Sequence, residues 1–143
     1  MTQKTKAPIW FWVASAVALV WNALGVFAYI QQVLMSAEQF ASLPQQQQDL
    51  LASQPTWVTA AFAVAVFAGF VAAIVLLMRK RVAVRLFLVS LLAVIVQFSS
   101  YFIIDGYSEY VADQGWTMPA LIVVFALAFL LIARHAEKKA LLS

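Results

Sequence analysis

The sequence predicts an all-α membrane protein, a four-transmembrane-helix bundle with both termini cytoplasmic and short interfacial helices in its outer loop. Three observations predict it. Four apolar runs of roughly twenty residues are separated by short polar connections, the basic residues all fall on one side of those runs, and aromatic residues mark their ends. The chain is 65% hydrophobic and 10% charged, with a mean hydropathy of +0.92, far from the roughly 45–50% apolar and about 25% charged composition of soluble domains. A soluble core of this size cannot bury four separated apolar runs, whereas a bilayer buries each without the others. Residues 1–143 read as a single transmembrane domain.

The first span, residues 9–30, is about 33 Å long at the helical rise of about 1.5 Å per residue, matching a hydrocarbon core of about 30 Å. Lys4 and Lys6 before it, and Ala14-Ser15-Ala16 within it, imitate a signal peptide. The apolar stretch before that site is too short and the run continues well past it, which favours a retained span. Residues 31–56 carry no Lys or Arg, eight Gln and prolines at 44 and 55, and form the outer loop. Ser36 with Gln39 is a capping-box pattern, predicting a short helix through Glu38, Phe40 and Leu43 that Pro44 ends. A second short helix is expected over Gln45 to Ala52, with Leu43, Leu50 and Leu51 resting on the membrane surface.

The second span covers residues 57–78 and the third 82–104, joined by the tight basic turn Arg79-Lys80-Arg81. Asp105-Gly106 closes the third span with a turn signal, and an acidic loop from Tyr107 to Trp116 follows. The fourth span, 117–133, is short at about 17 residues, with Pro119 in its first turn where the missing N–H costs little. Arg134 to Ser143 reads as a basic tail.

All nine Lys and Arg residues lie on one side of this arrangement, whereas Glu38, Asp49, Asp105, Glu109 and Asp113 lie on the other and only Glu137 breaks the pattern. Positive charge near span ends is retained in the cytoplasm, giving an N-in, C-in orientation with the Gln-rich loop outside. Trp10 and Trp12 mark the inner boundary; Tyr29, Trp57, Tyr101, Tyr107, Tyr110 and Trp116 mark the outer one. Trp21, deep in the first span, is the exception: a packing residue or a cavity wall.

Several chemistries are disfavoured. Without cysteine there is no disulfide, thiolate chemistry or Cys-based metal site. No ionisable residue lies within a span, whereas ion-coupled transport generally keeps one there. The chain resembles the small multidrug-resistance transporters in size and span number, but it lacks the acidic residue of the first span on which they depend. Asp105 reads as a helix-terminating carboxylate at the third span's outer end. The acids at 38, 49, 105, 109 and 113 have no calcium-loop spacing. His135 is the sole histidine and neighbours Arg134, and Ser99 and Ser100 have no base, so their hydroxyls are expected on the helix's own carbonyls. Neither enzymatic activity, a metal, a cofactor nor a nucleic-acid partner is expected.

What remains is polar and small residues inside the spans. Asn22 and Gly25 share a helical stripe with Ser15, Ala18 and Tyr29; Gln97 shares one with Ser90, Ala93 and Tyr101. Asn22 and Gln97, at similar depth, are expected to face one another or one shared polar pocket. Interhelical hydrogen bonds from such amides contribute about 0.6–2 kcal/mol each. Asn22, Gln97, Tyr29, Tyr101 and Trp21 are therefore the candidate interhelical or solute-facing residues. Gly25 and the four-residue repeat Ala61, Ala65, Gly69 and Ala73 are the candidate packing residues, small enough for close helix approach.

Trp21-Asn22 with Gly25, Trp57, Phe67 and Gly69, and Leu76-Leu77 before Arg79-Lys80 resemble a group of small four-span bacterial inner-membrane proteins. Most members have no assigned function and some carry a general label of sugar transporter. The resemblance implies no catalytic residue. If the label applied, Asn22, Gln97 and the tyrosines would be the sugar-facing groups, and transport would require an oligomer. The function expected from the sequence is a non-enzymatic inner-membrane bundle that acts by helix–helix association, with itself or in a larger membrane complex, as an accessory or assembly subunit. The alternative is an oligomeric facilitator of a small uncharged solute such as a sugar.

Overall fold

The computed structural model describes residues 6–104, 108–109, 112 and 115–143. The turn signal Asp105-Gly106 and the positions Lys4, Tyr107, Tyr110 and Asp113 lie outside these. Among the described residues the chain is helical throughout: α1 (Ile9–Val33), α2 (Ala37–Ala41), α3 (Gln45–Ser53), α4 (Thr56–Leu77), α5 (Val82–Ile103) and α6 (Thr117–Lys138). Four of these, α1, α4, α5 and α6, are long and apolar enough to cross a membrane.

Each boundary has a local cause. α1 runs one turn past residue 30, because Gln31, Gln32 and Val33 continue a stretch free of Pro and Gly. Ser36 caps α2 through both bonds of the capping box: its Oγ accepts from the Gln39 amide at 3.1 Å, and the Gln39 side chain accepts from the Ser36 amide at 3.0 Å. Pro44 and Pro55 each stand at the N-cap of the helix that follows, α3 and α4. α4 ends in a Schellman motif: Arg79 adopts φ 60°, its amide donates to Leu76 O at 2.8 Å, and the Lys80 amide donates to Val75 O at 2.9 Å.

The fourth long helix runs past the span read from the sequence. α6 does not stop at residue 133 but continues to Lys138, so its length equals that of α4 and α5. Nor is the segment after it a solvated basic tail. A second Schellman motif, with Ala140 at φ 59°, Ala140 N–H on Glu137 O at 3.1 Å and Leu141 N–H on Ala136 O at 2.9 Å, reverses the chain. Leu141 and Leu142 are then buried, each 2% exposed. Arg79 Nε donates to Leu141 O at 2.8 Å. Arg81 N–H donates to Ser143 O, and Ser143 N–H to Arg79 O, both at 2.9 Å. The apolar pair at 141–142 outweighs the charges around it because it has a packed site to enter.

The long helices contact in chain order: α4 with α5 most extensively, then α1 with α4 and α5 with α6, whereas α1 and α6 touch far less. Ala61, Ala65, Gly69 and Ala73 face inward on α4 and are buried. The Oγ of Ser90 on α5 donates to Ala65 O at 2.7 Å, a hydrogen bond possible only at close backbone approach. The main core, which includes Phe11, Ala72, Leu76, Phe87, Leu130 and Ala133, occupies the half of the bundle near the basic turn. A smaller cluster around Ala65, Ala93 and Val94 lies toward the Gln-rich end.

Candidate functional site

Because α1 and α6 close on one another only at one end, the Gln-rich half of the bundle encloses a cavity. At the closed end Trp10 packs on His135, ring centroids 5.5 Å apart, and further along Trp21 packs on Phe125 at 4.4 Å. Beyond that contact the cavity opens to a volume of about 470 Å³, walled by all four long helices. Leu24 on α1 and Met118 on α6 line it yet are 60% and 59% exposed, so they flank a lateral mouth in the α1–α6 seam. A volume of this order falls in the range of small-molecule sites, about 300–1,000 Å³.

Of the candidates from sequence, Trp21, Asn22, Gly25, Gln97 and Tyr101 all line this space. Tyr29 does not; its ring stands edge-on to Phe62 at 5.3 Å and to Phe67 at 5.6 Å. Trp21 is both a packing residue and a cavity wall. Asn22 makes no hydrogen bond to Gln97 among the described residues. Its Nδ2 donates instead to Ala18 O of its own helix at 2.8 Å, and its Oδ1 lies over Gly69, where an added Cβ would overlap it. Ser99 and Ser100 donate to Val96 O and Gln97 O, both at 2.6 Å. Leu50 and Leu51, expected on the membrane surface, turn inward and line a second, smaller cavity beneath α3.

Sequence reasoning missed the apolar majority of the wall, which includes Phe62, Val66, Phe87, Val94, Phe98 and Ile122. Nothing in a uniformly apolar span distinguishes a cavity-facing Val or Phe from a lipid-facing one. The neutral polar groups of Asn22, Ser90, Gln97 and Tyr101 are set among these apolar residues, and among the described residues no charged side chain lines the cavity. Comparison with family models, curated proteins and solved structures finds no match to this chain. The geometry of the site therefore carries the functional reading. Among the described residues no three His, Asp or Glu side chains are close enough to share a metal ion. The arrangement can hold an uncharged molecule that is mainly apolar, with a few hydrogen-bonding atoms.

Proposed function

We propose that this chain is a non-enzymatic, multi-pass protein of the bacterial inner membrane, oriented N-in and C-in, that takes an uncharged amphiphile from the outer half of the bilayer into its cavity. One observation carries the reading: an apolar cavity with isolated amides, open sideways between α1 and α6 at Leu24 and Met118. A lateral mouth serves a molecule that is already in the lipid. The predominance of Phe, Val and Ile over polar groups favours an apolar body over a free sugar. Charge segregation supports the orientation, which puts the cavity in the outer half and α2 and α3 at the outer interface.

Photolabelling in membranes with a diazirine-bearing fatty alcohol tests this. Labelled peptides are expected to include Val94, Ile122 and Ala126 on the cavity wall. Ala28, exposed at the rim, offers a place to plug the mouth, and Ala28→Phe is expected to abolish that labelling while leaving the outward Val13 and Leu127 labelled. Equal labelling of cavity residues in both chains, or of outward residues alone, rejects the reading.

The open seam also favours a second reading, an accessory subunit whose partner helix closes the gap between α1 and α6. The small-residue row on α4 is occupied inside the bundle, so association would use this seam instead. Native mass spectrometry from mild detergent separates the two: a stable homo-oligomer or hetero-complex disrupted by Ala28→Phe favours association, and a monomer retaining lipid favours the cavity.

A further inference from the structure

The second cavity, of about 190 Å³, lies between α3 and the ends of α1, α4 and α5. It shares Phe62, Gln97 and Tyr101 with the larger one, so the two spaces adjoin through those residues. Its character is different, because its wall is rich in amides: Gln32 from α1, Gln47 from α3, Gln54 after α3 and Gln97 from α5.

Several glutamines of this region are hydrogen-bonded within the chain. Gln45 donates to Asp49 Oδ1 at 2.8 Å, Gln48 donates to Leu43 O at 2.8 Å, and Gln54 donates to Thr59 Oγ1 at 2.8 Å. Gln32, Gln47 and Gln97 line the cavity with side-chain amides that have no hydrogen-bond partner among the described residues. All three are partly buried. Their amides remain accessible from the cavity, and a ligand that supplies both donors and acceptors can pair with them. Among the described residues no charged side chain lines the cavity. A phosphate or carboxylate would find no cation there, whereas a hydroxylated group can accept from and donate to each amide.

We infer that this vestibule is the head-group subsite of the larger cavity, binding the uncharged, hydroxyl-bearing head of an amphiphile whose apolar body lies among Phe87, Val94 and Ile122. The inference rests on the cavity reading above and adds the chemistry of the head. Phe62, Gln97 and Tyr101 form the junction, with Gln97 reaching both spaces.

Native mass spectrometry of the full chain in lauryldimethylamine oxide, titrated with oleoyl compounds that differ only in their heads, tests it. Monooleoylglycerol is expected to bind about tenfold more tightly than methyl oleate, and more tightly than oleate or oleoylcholine. Gln32→Leu and Gln47→Leu should each weaken monooleoylglycerol about three- to tenfold and leave methyl oleate unchanged, whereas Gln97→Leu, at the junction of both spaces, should weaken monooleoylglycerol by a similar factor. Gln47→Ala serves as a further variant, since α3 lies outside the four long helices and its truncation leaves their packing intact. Tighter binding of oleate or oleoylcholine, or wild-type affinity for monooleoylglycerol in all the glutamine variants, overturns the assignment. If the glycerol and methyl esters bind equally, the cavity reading stands and the vestibule assignment falls. If neither binds, both fall.

Discussion

Gly69 shows how a single residue fixes this packing. A Cβ there would overlap Asn22 Oδ1, and it would sit 2.9 Å from Asn22 Cγ and 3.1 Å from Ser90 Oγ. The absence of a side chain is what lets the Asn22 amide lie between α1, α4 and α5. Gly69→Ala is expected to destabilise the folded protein by about 1–3 kcal/mol through overpacking. In an Asn22→Ala background, where the overlapping amide is gone, most of that cost should vanish. A double-mutant cycle read by thermal denaturation in detergent measures the coupling. Additive costs would show that Gly69 and Asn22 do not meet. Both residues stood out in the sequence, one as a small packing residue and the other as an in-span amide. Their contact with each other did not, because it depends on the rotation of α1 against α4. The Oγ of Ser15 is a different case: fully buried and without a hydrogen-bond partner among the described residues, it lies on the stripe read from the sequence, and no pattern marked it as unsatisfied.

The clearest lesson among the elements is the end of α6. The charges from Arg134 to Lys139 made a tail the natural sequence reading. The helix nevertheless continues through them, and the following segment folds back onto the α4–α5 turn. Neither reversal residue is glycine: Arg79 and Ala140 hold φ near 60°, so the usual sequence signal for a helix end is missing at both. Tertiary contacts compensate, through the paired backbone hydrogen bonds of Arg79, Arg81 and Ser143 and the burial of Leu141 and Leu142. Leu141→Ala combined with Leu142→Ala should therefore lower stability by about 2 kcal/mol or more. It should also raise hydrogen exchange at the Arg81 amide, which donates to Ser143 O. Unchanged exchange at Arg81 would mean that the segment does not hold the turn.

For the molecule as a whole, the decisive feature is an unequal bundle. The basic half is filled by Phe11, Phe87, Leu130, Leu141 and their neighbours, and in the other half α1 and α6 part around a cavity. The proposed orientation, which rests on charge segregation, is open to single-cysteine labelling, since the chain has no cysteine of its own. Gln46→Cys in α3 should react with an impermeant reagent in intact spheroplasts. Lys80→Cys and Lys138→Cys should react only after lysis. The reverse pattern would invert the protein and place the cavity in the inner leaflet.

The sequence by itself determined the four long apolar helices, the basic turn between α4 and α5, the capping box at Ser36 and the inward face of small residues on α4. Each of these follows from runs, periods and caps that are local along the chain. Only the tertiary structure decided that Asn22 bonds within its own helix, that Ser90 makes a hydrogen bond between helices, and that Leu50, Leu51, Leu141 and Leu142 turn inward. It also decided that Gln32, Gln47 and Gln97 gather beneath α3. The physical reason is that in an apolar span lipid and protein are nearly equivalent surroundings for a Val, Leu or Phe, so hydropathy does not report which way a face points. That choice is made by packing between helices distant in sequence.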